Sequence, residues 1–328
     1  MTPLQEQLLT IIQAHFPITP RPFVALARRL SRSEADVLAA LADLQTAGII
    51  RSIGPIFNAP RLGYAGALAA AAVPPDRLAA FVADVNALPG VSHNYGRTGH
   101  LNVWFTLTLP SPAALDQTLA RLKKNHALPT LYHLPARRVF KIDARFPPDA
   151  PGEPSETPAN HTTTPLLPVA LAPRQIDLIR RLPDDLPLCP RPFDDLARAA
   201  DWRLDDLLAQ LNAWLADRVI RRFGARLRHQ QLGFVANALL VFALPPDRLD
   251  PAGRRLARAP QVSHCYERPP QPDWPYNLYA MAHCRTLDEL DDLAQRLARD
   301  LQPDLWQRLD TTVEYRKTPV RYFAENQP

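Results

Sequence analysis

The amino-acid sequence of this chain contains an internal repeat, in which segments of the second half resemble segments of the first. Pro17 begins PITPRPFVALARRL, and Pro187 begins the related PLCPRPFDDLARAA, 170 positions later. Ile49 begins IIRSIG, and Val219 begins VIRRFG at the same offset. A constant offset over this length indicates duplication of one structural unit. The chain is therefore predicted to fold as an intramolecular pseudo-dimer, in which the two halves pair as two separate subunits would.

The first part of each copy is predicted to be helical. Leu4, Leu8 and Ile11 recur at helical spacing, and Ser33 with Asp36 resembles the capping box that starts a later helix. Three short helices are followed by a basic, branched strand at residues 49–53. This order is typical of a winged helix-turn-helix domain.

The second part of each copy alternates strands and helices. In the first copy we predict a strand at about 64–73, a helix at 76–87, strands at 91–97 and 101–109, a helix at 112–125 and one strand at 130–146. This βαββαβ order is that of the ferredoxin-like unit. The predicted fold class is therefore α+β, a tandem duplication of a winged helix-turn-helix domain plus a ferredoxin-like domain.

A stretch rich in Pro, Ser and Thr separates the two copies. It has no apolar period, and its clustered prolines predict a stiff linker. The predicted boundaries are 1–62 for the first winged helix-turn-helix domain, 63–147 for the first ferredoxin-like domain, 148–167 for the linker, 168–232 for the second winged helix-turn-helix domain and 233–328 for the second ferredoxin-like domain.

Composition narrows the class of protein. The chain has 328 residues, and none of its apolar runs is long enough to span a bilayer, so no membrane association is expected. The start of the chain lacks a basic region, and Glu6 lies close to it, which argues against a secretory signal. Cys189, Cys265 and Cys284 have no CxxC spacing, which predicts reduced thiols in a cytoplasmic protein. The net charge of +5 permits an anionic partner without choosing among nucleic acid, membrane and a carboxylate-rich small molecule.

Both copies contain a Val-Ser-His-x-Tyr-x-Arg segment. It reads VSHNYGR from Val91 and VSHCYER from Val262. Side chains two positions apart on a strand point to the same face, so the His, Tyr and Arg of each segment are predicted to share one face of a sheet. An imidazole, a phenol and a guanidinium together would form a floor for an anionic ligand. A polar sheet face that meets only solvent is the alternative interpretation.

The predicted helix-turn-helix domains are poorly suited to DNA. The candidate recognition helix of the first copy, SEADVLAALADLQTAG, contains no Lys or Arg, and its counterpart, RLDDLLAQLNAWLADR, has arginines only at its ends. Contacts to phosphates and base edges need cations. DNA is therefore not the expected partner. Arg51 and Arg221 stand instead on the predicted wing strands.

The chain resembles the siroheme decarboxylases in four segments. These read HNYGRTGHLNVWFTL from His93, HCYERPPQPDWPYNLYAMAH from His264, IIRSIGPIFNAPRLGY from Ile49 and VIRRFGARLRHQQLGF from Val219. The family is Lrp/AsnC-like and includes the AhbA/AhbB and NirD/NirL pairs, and the two-copy arrangement resembles the fused NirDL form. The resemblance covers almost the whole chain outside the linker. It implies removal of CO2 from the C12 and C18 acetates of siroheme to give 12,18-didecarboxysiroheme, in haem d1 or alternative haem biosynthesis.

The resemblance also implies a set of site residues. The residues implied to be catalytic are His93, His264, Tyr95 and Tyr266. The residues implied to bind substrate are Arg97, Arg268, Arg51, Arg221, His100, Asn102, Trp104, Trp274, Tyr276, Asn277 and His283. His93 or His264 has an alternative role as an axial ligand of the substrate iron. No cofactor and no metal of the protein's own are expected, since the siroheme iron belongs to the substrate. The family often places an acidic residue and a His directly after the Arg, whereas here Thr98 and Gly99 precede His100.

Three classes of function stay open on the sequence alone. A siroheme decarboxylase is the leading hypothesis. An Lrp/AsnC-type transcriptional regulator would need DNA contacts from helices that lack cations, and a non-catalytic tetrapyrrole-binding protein would use the same residues without a reaction. The sequence leaves open which half holds the working site and whether the fused chain forms a homodimer.

Overall fold

The computed structural model describes residues 1–142 and 167–324 of the chain. Its first half begins with three helices and a strand, which are α1 Pro3–Ala14, α2 Pro22–Leu30, α3 Glu34–Thr46 and β1 Ile50–Phe57. The elements that follow are β2 Ala65–Ala72, α4 Pro75–Ala87, β3 Val91–Arg97, β4 Val103–Leu109, α5 Pro112–Asn125, β5 Thr130–Leu134 and β6 Arg138–Ile142. The first half is thus a helix-turn-helix domain with a wing strand, followed by a ferredoxin-like domain.

The second half repeats this order. Its helix-turn-helix part comprises α6 Pro173–Arg181, α7 Asp194–Ala199, α8 Leu204–Ala216 and β7 Ile220–Leu227. Its ferredoxin-like part comprises β8 Ala236–Ala243, α9 Pro246–Arg258, β9 Val262–Glu267, β10 Leu278–Cys284, α10 Leu287–Leu301 and β11 Leu305–Lys317. The predicted fold class, a tandem duplication of the two-domain unit, is confirmed. The predicted linker at 148–167 lies outside the described residues except for Leu167.

Local sequence signals set where the helices start. The Thr2 hydroxyl accepts from the Gln5 backbone N–H at the start of α1, and Ser33 with Asp36 forms the predicted capping box of α3. Both caps satisfy backbone N–H groups that have no partner within the helix. The apolar faces of these helices then pack into one core shared by both helix-turn-helix domains.

The strands form two sheets that both join the halves. A two-stranded ribbon pairs the wing strands β1 and β7 antiparallel, with Gly54 opposite Gly224. The other nine described strands form one large sheet in the order β5-β2-β4-β3-β11-β8-β10-β9-β6. The halves therefore exchange their last strands. The C-terminal part of β11 pairs with β3 of the first half, and β6 pairs with β9 of the second half. This exchange is the predicted intramolecular pseudo-dimer in structural terms.

One predicted strand is divided in two. The sequence pattern predicted a single strand over residues 130–146, but β5 ends at Leu134 and β6 begins at Arg138. Pro135 cannot donate a ladder hydrogen bond, and the chain leaves its own half here to join the other. Residues 143–146 lie outside the described part of the chain. In the second half, β11 makes the same crossing as one continuous strand.

The two ends of the large sheet approach each other. β5 and β6 lie at its opposite ends although only three residues separate them. The sheet therefore curls, and it encloses a core that includes Leu134, Trp104, Trp274 and Tyr279. This curvature brings the first half and the second half around a common centre.

Candidate active site

One cavity of about 1140 Å³ lies between the face of the large sheet, the β1–β7 ribbon and the C-terminal residues 318–324. Its lining includes side chains from both Val-Ser-His-x-Tyr-x-Arg segments, which are His93, Tyr95, Arg97, His264, Tyr266 and Arg268. The two segments therefore serve one cavity. The prediction that the three residues of each segment share one face of a sheet agrees with this arrangement.

The residues that alternate with them face the opposite side of the sheet. Asn94 is fully buried, and its side-chain amide donates to Asn86 Oδ1 on α4 at 3.0 Å. Cys265, at the corresponding position of β9, is fully buried in the core between the sheet and its helices. Strand alternation thus sends polar groups into the cavity and the intervening residues into the helix-covered face.

Arg97 is a buried cation with no carboxylate within ion-pair distance among the described residues. It is 8% exposed, and its Nη1 donates to the Leu309 carbonyl at 3.1 Å and to Thr311 Oγ1 at 3.2 Å. Its Nε is buried and has no hydrogen-bond partner among the described residues. Burial lowers the pKa of Arg97 to about 10, with the Tyr95 and Asp310 side chains acting in the opposite direction. The guanidinium is therefore still charged at neutral pH.

Arg268 occupies the equivalent position in the second half. It is also 8% exposed, and its Nη1 donates to the Leu134 carbonyl. Its guanidinium carbon lies 4.8 Å from the centre of the Tyr266 ring, and its Nε is buried without a partner within the described part of the chain. Burial lowers the pKa of Arg268. Burying a charge is costly unless it is paired, so these two arginines suit a ligand that brings carboxylates.

His93 lies among cations. Its Nδ1 is 2.9 Å from the Ser92 hydroxyl. Burial, and then the charges of Lys317 and Arg51, lower the pKa of His93 to about 4. The imidazole is thus neutral at pH 7 as the cavity stands. A bound polyanion would offset the nearby positive charge and favour the imidazolium.

The two tyrosines are held as phenols. Burial raises the pKa of Tyr95, and the neighbouring Glu314 carboxylate raises it further. Burial also raises the pKa of Tyr266. A phenol that keeps its proton can donate a hydrogen bond to a carboxylate or to a developing negative charge.

The second half holds a chain of three polar side chains. The Ser263 hydroxyl lies 2.8 Å from His264 Nδ1 and 2.9 Å from His283 Nε2. His283 is 7% exposed and lines the cavity. Ser92 and Ser263 were not among the predicted site residues. The signal was present in the sequence, since Ser precedes His in both copies.

Further cations surround the cavity. Arg51 and Arg221, both predicted to bind substrate, are among the residues that line it. The lining also includes Arg180, Arg181, Arg222, Arg226, Lys317 and Arg321. Burial lowers the pKa of Arg226 and of Lys317. A cavity with this lining attracts polyanions.

Asn102 and Asn277, which were predicted to bind substrate, are not among the residues that line the cavity. The Asn102 amide accepts from the Val73 backbone N–H at 2.8 Å and donates to the Val73 carbonyl at 2.9 Å. Asn277 makes the same two hydrogen bonds with Leu244, at 3.0 and 2.7 Å. Both amides are thus engaged with backbone groups and join the start of one strand to the end of another.

Of the three aromatic residues predicted to bind substrate, one lines the cavity and two do not. Trp104 lines the cavity, and its indole N–H donates to the Leu101 carbonyl. Trp274 and Tyr276 do not line it; they pack against each other at 4.8 Å between ring centres, in the core that the curled sheet encloses. The residue at the cavity in their place is Tyr279, which stands opposite Tyr266 as Trp104 stands opposite Tyr95. Tyr279 is thus the structural equivalent of Trp104. The sequence does not show this directly, because the loop before Tyr279 is longer than that before Trp104 and contains four prolines.

His100, also predicted to bind substrate, is not among the residues that line the cavity. It is exposed in the turn between β3 and β4. The glycine before it, Gly99, has φ +100°, a value that favours glycine.

The described residues hold no group of three or more His, Cys, Asp or Glu side chains that could bind a metal ion. Cys189, Cys265 and Cys284 are free thiols. Among the helices in residues 1–142 and 167–324, none is long and apolar enough to cross a membrane.

Comparison with known proteins agrees with this architecture. The family model described as an AsnC-like ligand binding domain matches residues 61–141 and 231–316. The model described as a siroheme decarboxylase NirDL-like HTH domain matches residues 5–51 and 175–221. Fold and cavity thus define a protein with two helix-turn-helix domains and two AsnC-like ligand-binding domains.

Individual relatives narrow this class. The siroheme decarboxylase of Hydrogenobacter thermophilus is 33% identical over 98% of this chain and 95% of the relative. The siroheme decarboxylase NirDL subunit of Paracoccus denitrificans is 37% identical over 87% of this chain and 86% of the relative. The crystal structure of the siroheme decarboxylase NirDL matches with a TM-score of 0.76 and 30% identity, covering 98% of this chain and 95% of that chain. The chain belongs to the siroheme decarboxylase NirDL family.

Proposed function

We propose that this protein is a siroheme decarboxylase that removes CO2 from the C12 and C18 acetate side chains of siroheme and releases 12,18-didecarboxysiroheme. The observation that carries the proposal is the single cavity of about 1140 Å³ into which both halves project His, Tyr and Arg. Family membership supports it, because relatives that cover nearly the whole chain are siroheme decarboxylases. The product belongs to haem d1 or alternative haem biosynthesis.

Arg97 and Arg268 are proposed to hold the macrocycle through its peripheral carboxylates. Each presents a buried guanidinium with an Nε donor that lacks a partner in the described structure. A guanidinium fork fits a carboxylate with two parallel hydrogen bonds. The cations Arg51 and Arg221 would bind further carboxylates at the ribbon.

The reacting acetate would sit apart from these cations. Loss of CO2 is favoured where the leaving carboxylate is poorly solvated and unpaired. The electron pair left on the methylene carbon delocalises into the macrocycle and is then protonated by a general acid. His93, His264, Tyr95 and Tyr266 are the proposed acids at the cavity. Their ring contacts place each histidine 6.1 Å from its tyrosine, measured between ring centres.

We propose that the reaction needs no cofactor and no metal of the protein's own. Iron enters the cavity only as part of the substrate. His93 and His264 line the cavity, so either imidazole is also suited to bind this iron axially.

Two features speak against a transcriptional regulator. The helices α3 and α8 carry the acidic residues Glu34, Asp36, Asp43, Asp205 and Asp206. The wing strands pair with each other in the ribbon and cover the cavity, so they are engaged within the chain. A cytoplasmic location is proposed from the three free thiols.

Anaerobic incubation of the purified protein with siroheme tests the function. We expect an absorbance change on binding, followed by loss of two CO2 from the pigment by mass spectrometry. Binding without loss of mass would instead identify a non-catalytic tetrapyrrole carrier. If no siroheme is bound at all, the proposed function is wrong.

A further inference from the structure

The two halves differ in the side chain that the serine hydroxyl connects to the proposed catalytic histidine. In the second half, the Ser263 hydroxyl connects two imidazoles, at 2.8 Å from His264 Nδ1 and 2.9 Å from His283 Nε2. The rings of His264 and His283 both line the cavity. Ser263 itself is 4% exposed, so water has little access to its hydroxyl.

The single hydroxyl proton couples the directions of these two hydrogen bonds. Ser263 has one proton to donate, and its other neighbour, the Met281 carbonyl, is 3.4 Å away. That separation is long for an O–H donor, whereas the imidazole distances are ordinary. When the hydroxyl donates to His264 Nδ1, His283 Nε2 must carry a proton and donate to the hydroxyl oxygen. The three groups then form a continuous path for a proton.

The first half has no second imidazole at this point. The Ser92 hydroxyl lies 2.9 Å from His93 Nδ1 and 2.7 Å from the Thr106 hydroxyl. His93 stands opposite Thr106 on β4, and His264 stands opposite Met281 on β10. Counting two residues onward on each strand places Thr108 at the position of His283. Ser92 contacts the Thr106 hydroxyl instead, which does not gain or lose a proton near neutral pH, so the path in the first half ends at Thr106.

We propose, building on the proposed function, that His283 and Ser263 form a proton relay that supplies His264 during the reaction. His283 acts through Ser263 on the catalytic His264. The substrate carbon would then be protonated at the second-half side of the cavity.

The bond between the acetate methylene carbon and its carboxyl carbon breaks, CO2 leaves, and the electron pair stays on the methylene carbon. His264 Nε2 gives its proton to that carbon and forms the C–H bond of the methyl group. The Ser263 proton moves to His264 Nδ1, and the Nε2 proton of a doubly protonated His283 moves to Ser263. His283 ends neutral and is protonated again from water, so each decarboxylation consumes one proton and no electrons.

Single-turnover kinetics on the full chain test the relay. Siroheme affinity is measured by absorbance titration, and the rate constant for CO2 loss is measured by mass. Removing the relay in Ser263→Ala or His283→Ala should lower the rate constant about 10- to 100-fold, in the range of general-acid effects, a larger factor than any accompanying rise in the Kd. Because both residues act in one path, the double variant should be no slower than the slower single variant.

Two controls separate a relay from a structural role. Ser263→Thr keeps the hydroxyl and should restore the rate, and added imidazole should rescue His283→Ala. Thr108→Ala removes the first-half residue at the equivalent position and should react at the wild-type rate. If Ser263→Ala fails to fold, His283→Ala with imidazole rescue decides alone.

The relay is wrong if both single variants keep the wild-type rate constant, if their effects multiply in the double variant, or if the Kd rises in step with the loss of rate. These outcomes leave the decarboxylase assignment standing, because the wild-type protein still releases CO2. Failure of the wild-type protein to decarboxylate siroheme would instead remove the proposed function itself.

Discussion

The buried guanidinium groups of Arg97 and Arg268 lower the stability of the empty protein and favour the binding of a ligand that carries carboxylates. Each places a guanidinium in the interior with backbone carbonyls, and no carboxylate of the described residues lies within ion-pair distance. Such a charge destabilises the empty protein unless a ligand offsets it. The two arginines are equivalent in the two halves. Leu309 supplies a carbonyl to Arg97 and Leu134 supplies the equivalent carbonyl to Arg268, each from the opposite half of the chain. This repetition is what a polycarboxylate with several binding groups requires.

Replacing either arginine by lysine should weaken binding. Arg97→Lys and Arg268→Lys keep the charge but lose the planar fork, so each should raise the Kd for siroheme about tenfold, or about 1.4 kcal/mol. Absorbance titration measures the Kd. Arg121→Lys, at an exposed position on α5, is the matched control and should bind as the wild type does. An unchanged Kd in both cavity variants would contradict the assignment.

The neutral state of His93 makes the stability of the empty protein depend on pH. Its pKa is about 4 in the fold against 6.5 for the ordinary group. The unfolded chain therefore binds a proton that the folded chain does not, and the free energy of unfolding should fall as the pH drops from about 6.5 to about 4. For a histidine of this burial the effect is at most about 3 kcal/mol.

Denaturant unfolding across this pH range measures the effect. His93→Gln should lose this part of the pH dependence, whereas His100→Gln, at an exposed position, should retain it. A wild-type curve that is parallel to that of His93→Gln would show that His93 does not titrate as the structure indicates.

Asn102 shows the limit of prediction at the scale of single residues. The pattern His-x-Tyr-x-Arg could be assigned to one sheet face because strand alternation is a local rule. The amide of Asn102 could not be assigned, because its partner Val73 is 29 positions away in the sequence. Trp274 and Tyr276 were predicted to bind substrate because they lie in a Pro-rich loop, but the curvature of the whole sheet, which no local pattern indicates, turns them into the core.

At the scale of elements, the β1–β7 ribbon holds the helix-turn-helix domains together above the cavity. Each of its central glycines passes close to the other half of the chain. A Cβ on Gly224 would lie 2.4 Å from the Ile12 carbonyl oxygen, and one on Gly54 would lie 2.8 Å from the Asp184 carbonyl oxygen. Both neighbours are backbone atoms, which cannot rotate away. Only glycine allows this approach.

Gly224→Ala should therefore force the ribbon away from α1. We expect a loss of about 1–3 kcal/mol in the free energy of unfolding, as for other overpacked sites. Gly66→Ala is the matched control within a strand, since its nearest neighbour would be Thr108 Oγ1 at 3.8 Å. Denaturant unfolding compares the two variants. Equal stability of both would mean that the ribbon is not constrained by α1.

The element order was predictable from the sequence, but the strand pairing was not. Periodicity and capping signals located α3, α4 and α5 within one or two residues. No local signal indicates that β6 pairs with β9, because that partner lies more than 100 positions further along the chain. The division of the predicted strand at Pro135 is the visible consequence of this exchange.

At the scale of the whole molecule, neither half completes its own sheet. β11 pairs with β8 of its own half and with β3 of the other half. β6 of the first half pairs with β9 of the second. The α subunit of the siroheme decarboxylase of Desulfovibrio desulfuricans is 43% identical over 44% of this chain and 84% of that relative. A half of this chain thus has the extent of a separate subunit elsewhere.

Separating the chain into residues 1–147 and 168–328 should leave a functional pair. We expect the two polypeptides, produced together, to co-purify in equal amounts and to bind siroheme. Each produced alone should expose unpaired strand edges and aggregate. Analytical ultracentrifugation distinguishes the complex from single fragments. Two stable, monomeric fragments that do not associate would contradict the strand exchange.

The central claim is that the histidines of both halves act on one siroheme in one cavity. Mass-resolved turnover of His93→Ala and His264→Ala, measured separately beside the wild type under anaerobic conditions, tests it most directly. The account predicts that each single variant slows the loss of CO2 at least about tenfold while the wild type completes both decarboxylations. Release of both CO2 molecules at the wild-type rate by either variant would contradict it.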